Sequence, residues 1–486
     1  MSCLSCLSWR RASPVLALAV AAACLPDNPL PSDTAGSSEP TSGETGVTTG
    51  GAAAGLFGCS GGPCTLVLVS QTLDDRIDVF DVSSAKPVLR GRIALDLKPD
   101  ASGLQTSGNL LDEPYDLVLT DSDLLVAIGH YPDSDSGSLL RFPRAAFAEQ
   151  GPGEVFATDR YFNFGVFSSG VEALAHERQE GIFLLPHPSG RVLIGVFANN
   201  LQVTQWTVPS ELLIVDPLDL AAGVASVDLG VMPKPCVGAW ALQALDPAVS
   251  KVALACDGSE SVAVLSLPDD FGTAPLAEAA QGVTGCGLNL GGDGWSTQFV
   301  SGDGAGGFLA VQSQLVEPPR LWHVSADCSP SGVPSSDVPE ALQQVRLLRQ
   351  PVLLRPAAGP TAPLWLVAAG PTDNGVVIVR GGGSPTMCGA LTGLEALAAD
   401  NSPWALALDG DRTHLAIGAG PASNPQLAAG RGQVLWATLD PSGFDSCQVH
   451  ASEAVDLGAG LFAASDPDTW MRAPNVVVVA ELGGGS

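Results

Sequence analysis

Basic residues are scarce in this chain: across 486 positions Lys and Arg number 22 against 51 Asp and Glu, a formal charge of −29. A field of that sign repels phosphate backbones, which excludes nucleic-acid binding as a class, and it disfavours broad adhesion to anionic lipid. Charged residues of either sign make up only 15% of the chain, too few for a fold built on amphipathic helices with charged outer faces. No apolar run reaches the roughly 20 residues that a membrane-spanning helix needs. Beyond Cys3 and Cys6 near the N-terminus, cysteine pairs at CxxC spacing are missing, as are His residues at ligand spacing, which argues against a structural metal site. What is plentiful is Gly (56) and Pro (38), the punctuation of short strands and many turns.

The N-terminus sets the compartment. Arg10 and Arg11 precede "ASPVLALAVAAAC", a short apolar run closing on small residues, which is the layout of a bacterial export signal. Its end, Ala21, Ala22, Ala23 and Cys24, resembles the lipobox of bacterial lipoproteins, with Ala21 where that family usually has Leu. The resemblance implies cleavage before Cys24, a diacylglycerol on its thiol and an acylated amino terminus; plain secretory cleavage after Ala23 is the alternative. By the sorting pattern of enteric lipoproteins, Leu25 in place of Asp implies the outer membrane. The stretch "CLPDNPLPSDTAGSSEPTSGETGVTTGG" from Cys24 has no Lys, Arg or aromatic residue, so it cannot bury enough apolar surface to offset its ordering entropy. Residues 1–23 are therefore expected as signal, 24–58 as a lipidated flexible linker, and 59–486 as the folded domain.

Of the eleven Cys, Cys3 and Cys6 leave with the signal and Cys24 carries lipid. Cys59, Cys64, Cys236, Cys256, Cys286, Cys328, Cys388 and Cys447 remain, an even set that in an exported chain reads as disulfides. Cys59 with Cys64 closes a Gly-rich loop. Cys236 and Cys256 flank a hairpin turning through "LDPAVS" and are expected to face each other across it. Cys286 with Cys328 and Cys388 with Cys447 follow only from their places in neighbouring units.

Those units come from an internal repeat. A first strand and turn recur as "PYDLVLTDSD", "GIFLLPHPSG", "GAWALQALDPAVS", "QPVLLRPAAGPTA" and "SPWALALDGDRT". Second strands such as "LLVAIGHY", "KVALACDGSE" and "HLAIGAGPASN" follow, then third strands such as "GSLLRFPR", "SVAVLSLPDD" and "GVVIVRGGG". Length and Val/Leu richness between turns favour buried strands over helix segments. With a repeat near sixty residues, about seven units of three or four antiparallel strands fit, six or eight being the neighbouring counts. This is the layout of an all-β propeller, with a two-sheet sandwich as the structural rival. The unit "DDRIDVFDVSSAKPVLRGRIAL" resembles repeats of the YVTN and lactonase-like seven-bladed propellers. The first unit, Thr65 to Leu95, lacks a first strand, so Asn475 to Leu482 is expected to complete it and close the ring, with Phe462 to Ser465 as a second candidate.

Several motifs invite sharper readings. Gly58, Ser60 and Gly62 match a nucleophile elbow but lack its strand-to-helix context, so a disulfide loop is expected. Gly302, Gly304 and Gly307 match a phosphate loop but precede "FLAVQ", a strand, and read as a blade turn. Asp133, Asp135 and Gly137 suggest a calcium loop with too few ligands. Of the six His (130, 176, 187, 323, 414 and 450), expected in different units, His176 beside Glu172 and Glu177 is the best general-base candidate. Lactonase-like relatives imply Arg, His and Glu in the central channel, and none is assigned to a position here. Neither catalytic residues nor a cofactor or metal is assigned. The favoured reading is a monomeric, lipid-anchored, non-enzymatic binding or scaffold module that meets proteins or glycans through its loops. The alternative is a propeller hydrolase with its site in the channel mouth; perturbed ionisable groups converging on one pocket would mark it.

Overall fold

A computed structural model describes residues 55–59, 62–71, 76–95, 111–131, 138–148, 161–163, 179–198, 209–292, 295–314, 317–330, 342, 344–345, 347–358, 361–370, 375–421, 432–459 and 474–483. The strands form seven antiparallel sheets, the blades of a propeller. Blade 1 holds β1 (Cys64–Gln71), β2 (Arg76–Asp81) and β3 (Val88–Ala94). Blade 2 is β4 (Leu111–Leu119), β5 (Asp123–Tyr131), β6 (Ser138–Pro143) and β7 (Tyr161–Asn163). Blade 3 is β8 (Gln179–Pro186), β9 (Val192–Ala198), β10 (Glu211–Val215) and β11 (Val224–Asp228). Blade 4 is β12 (Ala239–Ala244), β13 (Lys251–Cys256), β14 (Ser261–Ser266) and β15 (Thr284–Asn289). Blade 5 has three described strands, β16 (Ser296–Gly302), β17 (Gly307–Ser313) and β18 (Arg320–Ser325). Blade 6 is β19 (Leu347–Arg355), β20 (Leu364–Gly370), β21 (Gly375–Arg380) and β22 (Thr386–Ala390). Blade 7 is β23 (Asn401–Leu408), β24 (His414–Pro421), β25 (Gln433–Asp440) and β26 (His450–Asp456).

The last strand, β27 (Pro474–Leu482), returns to blade 1 and pairs antiparallel with β1, from Cys64 opposite Leu482 to Gln71 opposite Pro474. The sheet order β27-β1-β2-β3 supplies the innermost strand that the first unit lacks. Innermost strands touch in succession around the ring, β27 to β4, β8, β12, β16, β19, β23 and back to β27. Phe462 to Ser465 lies outside the described residues.

The apolar pattern explains this arrangement. Each middle strand is buried on both faces because a blade is flanked by two others. In β20, Leu364, Leu366 and Ala368 pack against Leu415 and Ile417 of blade 7. The alternate residues Trp365, Val367 and Ala369 pack against Leu309 and Val311 of blade 5. The period of 2 thus divides one apolar run between two interfaces. The same division unites blades 1 and 2 through Leu68 and Val126, and blades 7 and 1 through Ala416 and Val67.

Asp residues close several turns between first and second strands. Asp303 accepts from the backbone N–H groups of Ala305 and Gly307, and Asp409 from those of Thr413 and His414. The Gly302, Gly304, Gly307 motif is such a turn, where φ of 77° at Gly304 and 95° at Gly306 suits residues without a Cβ. Folding begins ahead of the boundary expected at residue 59. Leu56 and Phe57 are buried, and the Phe57 ring meets Phe147 edge-on at 5.1 Å, an aromatic contact that the linker composition upstream does not foreshadow.

Disulfides join Cys59 to Cys64, Cys236 to Cys256, Cys286 to Cys328 and Cys388 to Cys447. Cys286 on β15 and Cys388 on β22 each staple the outermost strand of one blade to the connection after the third strand of the next. The hairpin geometry inferred for Cys236 needs correcting. The residue opposite Cys256 is Ala239, and Cys236 sits before β12, in the segment where Val237 bridges Pro209.

Candidate binding site at the inner rim

Each innermost strand departs from its ladder at an equivalent place. Against one step of the second strand, the first strand inserts Tyr115 between Pro114 and Asp116, and Ile182 between Gly181 and Phe183. It inserts Trp240 between Ala239 and Ala241, and Gln298 between Thr297 and Phe299. Arg349 and Gln350 fall between Leu348 and Pro351, and Trp404 between Pro403 and Ala405. In β27 the break falls at Asn475, opposite the Ser70 to Gln71 step. A β-bulge takes its extra residue out of the strand ladder and re-aims its side chain. Seven such breaks at corresponding places in the innermost strands carry Tyr115, Trp240, Gln298, Arg349, Gln350 and Trp404, all half-buried, on the strands that surround the central axis.

Polar bonds between blades hold this level in register. Ser70 donates to the Pro114 carbonyl at 2.6 Å. Asp116 accepts from the Leu184 N–H at 2.8 Å, and Ser210 from that of Ala239 at 2.9 Å. Asp257 accepts from the Ser296 hydroxyl at 2.6 Å and the Thr297 N–H at 2.8 Å. Ser313 accepts from the Leu348 N–H at 2.9 Å, and Ser402 donates to the Ala369 carbonyl at 3.4 Å.

Two of these carboxyls are strongly perturbed. Burial pushes Asp116 up to about 7, against the lowering pull of its bonds from Leu184 and Leu117. Burial likewise pushes Asp257 up to about 6, against bonds from Ser296, Gln298 and Thr297. Burial also lowers Arg349 to about 9. Its guanidinium carbon lies 3.4 Å from the centre of the Trp404 ring, a cation–π stack linking the bulges of blades 6 and 7.

The described histidine side chains of the turns lie elsewhere. His323 bonds Asp303 at 2.9 Å and His414 bonds Asp409 at 2.7 Å, each completing a turn at the far end of the innermost strands. His187 bonds Ser189 at 2.8 Å within a turn. His414 and His450 share blade 7, contrary to the expected one per unit, because the first half of that blade carries one and its outermost strand begins with the other. His130 is on β5, its side chain outside the described residues. His176 with Glu172 and Glu177, the Asp133 to Gly137 loop, Ser60 and Cys24 also lie outside them. Among the described residues no three His, Cys, Asp or Glu side chains gather as a metal site.

The bulge column was present in the repeats, as Tyr115, Ile182, Trp240, Gln350 and Trp404 after a small residue, Pro or Arg349. A Trp in an apolar strand reads as core until its partner strand is known.

No family model matches the chain, and no curated protein sequence matches it. Similar solved structures include a putative 6-phosphogluconolactonase from Bacteroides fragilis, 9% identical, with 86% of this chain and 98% of that one covered at a TM-score of 0.49. The periplasmic gluconolactonase of Pseudomonas aeruginosa is 13% identical over 81% of this chain and 96% of its own, with a TM-score of 0.46. Apo AztD from Citrobacter koseri is 12% identical over 87% and 99%, with a TM-score of 0.41. At these values no activity transfers, and the propeller assignment stands on the sheet order and ring closure.

Proposed function

We propose that this protein is a lipid-anchored extracytoplasmic binding module, tethered through Cys24 at the outer membrane and engaging its ligand at the inner rim. The observation that carries this reading is the bulge repeated on all seven innermost strands. It assembles indole, phenol, amide and guanidinium groups in one ring, a set that matches ligands with apolar faces and polar edges, the chemistry shared by glycans and extended peptides.

The attachment of the N-terminus supports the same reading. Leu56 donates its N–H to the Phe147 carbonyl, and Arg144 bonds the Phe57 carbonyl at 3.1 Å and the Asp121 carbonyl at 3.0 Å. Asp121 belongs to the turn between β4 and β5, at the end of the innermost strand away from Tyr115. Leu56 and Phe57 thus attach at the end of the blade away from the rim, which supports a rim left open to ligand.

An enzymatic site would need perturbed ionisable groups converging on one pocket. Here Asp116 joins blades 2 and 3, Asp257 joins blades 4 and 5, and Arg349 joins blades 6 and 7, each bonded within its own junction. That distribution favours binding over hydrolysis. The test is retention on arrays of envelope glycans and peptides by the mature chain and by Tyr115→Ala and Trp240→Ala variants of unchanged thermal midpoint. Loss of retention in both variants is expected; equal retention by all three, or turnover of the retained ligand, would overturn the proposal.

A further inference from the structure

We propose that Arg349 and Trp404 form a carboxylate-binding subsite within the inner rim, between blades 6 and 7. The pair offers donors and lacks an acceptor. Arg349 spends one terminal nitrogen, Nη1, on the Pro403 carbonyl at 2.8 Å and the Ser402 hydroxyl at 3.4 Å. Among the described residues its Nε and Nη2 make no bond and no carboxylate lies against it. Elsewhere Arg90 meets Asp81 at 2.6 Å, Arg141 meets Asp123 at 2.7 Å and Arg355 meets Asp445 at 2.5 Å. Beneath the guanidinium, the Trp404 indole N–H is buried with no hydrogen-bond partner among the described residues, a state that costs a buried donor its full desolvation penalty. Next in sequence, Gln350 turns its carbonyl to the Leu406 N–H at 3.2 Å, which leaves its amide as a further donor.

An anion satisfies this set. The guanidinium and the indole are stacked, so a carboxylate oxygen taking a charge-assisted bond from Arg349 would bring the second oxygen toward the Trp404 N–H, which must be uncovered for the second bond to form. One cation in a chain of net charge −29 matches a monoanion better than a phosphate dianion, which the surrounding field repels twice as strongly. Even with its pKa lowered by burial, Arg349 stays charged at neutral pH.

The subsite rests on the reading of the inner rim as the binding surface. The two fail separately: if the rim reading alone fails, carboxylates still act on Trp404 although Tyr115→Ala and Trp240→Ala leave retention unchanged. The experiment follows the ¹⁵N-labelled indole resonances of the full mature chain, with Trp404→Phe identifying its own. Glucuronate and N-acetyl-alanyl-alanine are titrated beside their uncharged counterparts, glucose and the peptide amide. Saturable movement of the Trp404 resonance with either acid and neither neutral compound is expected; the acid that acts separates a sugar acid from a chain terminus. Arg349→Gln weakens binding about tenfold or more, and Arg349→Lys retains part of it. Should Arg349→Gln fail to fold, Trp404→Phe keeps a smaller aromatic face under the guanidinium and loses the indole N–H, and calorimetry reads a several-fold weaker affinity. No movement with either acid, or equal movement with the neutral compounds, overturns the proposal.

Discussion

The carboxyl of Asp116 in blade 2 accepts the backbone N–H of Leu184 in blade 3 at 2.8 Å, tying two innermost strands together. Its other oxygen holds the Leu117 N–H at 2.8 Å. Burial raises this carboxyl from 3.8 to about 7, so the folded state binds a proton that the unfolded chain has already released across that range. Its contribution is full below about pH 4 and is lost as pH rises through about 7. Asp257 acts in the same direction up to about 6. Asp303 and Asp409 oppose it only at lower pH, since burial would raise them but bonds from His323 and His414 and from backbone N–H groups hold them below the usual range. Thermal midpoints of Asp116→Ala should therefore fall further below the parent at pH 5 than at pH 8. An equal or larger deficit at pH 8 would show that burial does not govern this carboxyl.

Ring closure gives a second prediction. Val477 of β27 packs with Val67, Phe80, Ala405 and Ala416, and Leu482 joins the cluster between blades 1 and 2, so the strand belongs to the core on both sides. Deleting everything after Pro474 strips β1 of its inner partner and leaves long apolar edges, which are templates for aggregation. The truncated chain should lose its cooperative transition near the parent midpoint and elute as aggregate on size exclusion. A monodisperse product with an unchanged midpoint would refute closure by this strand.

The strand order was legible because each strand is short, apolar on both faces and bounded by Gly, Pro or Asp turns, so the stacking of "KVALAC" over "HLAIGA" aligned residues that are equivalent in space. The deficit of the first unit was legible for the same reason. The rim was not. A bulge is a relation between two strands, one residue too many against a partner, and a single strand such as "SPWALAL" carries no mark of it. Arg349 escaped notice because its strand was read from Gln350 onward, whereas pairing begins at Leu347. Cys236 was misplaced for a different reason: the hairpin was real, but its ladder ends with Ala239 opposite Cys256, three residues short of Cys236.

The anchor proposed at Cys24 yields the last prediction. If its thiol carries diacylglycerol, fatty-acid label fed to the producing cells should enter the mature protein and the protein should fractionate with the outer membrane. Three acyl chains hold far more firmly than one, which binds only marginally, so the wild-type protein should resist extraction by salt. Changing Cys24 to Ala removes both the acyl acceptor and the cleavage signal of the lipobox, leaving the protein unlabelled and either soluble or uncleaved. The propeller itself should be indifferent, because the Cys59 to Cys64 bridge and the Phe57 contact with Phe147 close off the fold well downstream, and the Cys24→Ala protein should melt with the parent midpoint. Fatty-acid label on the Cys24→Ala protein would sink the lipobox assignment and leave ordinary secretion after Ala23 as the route.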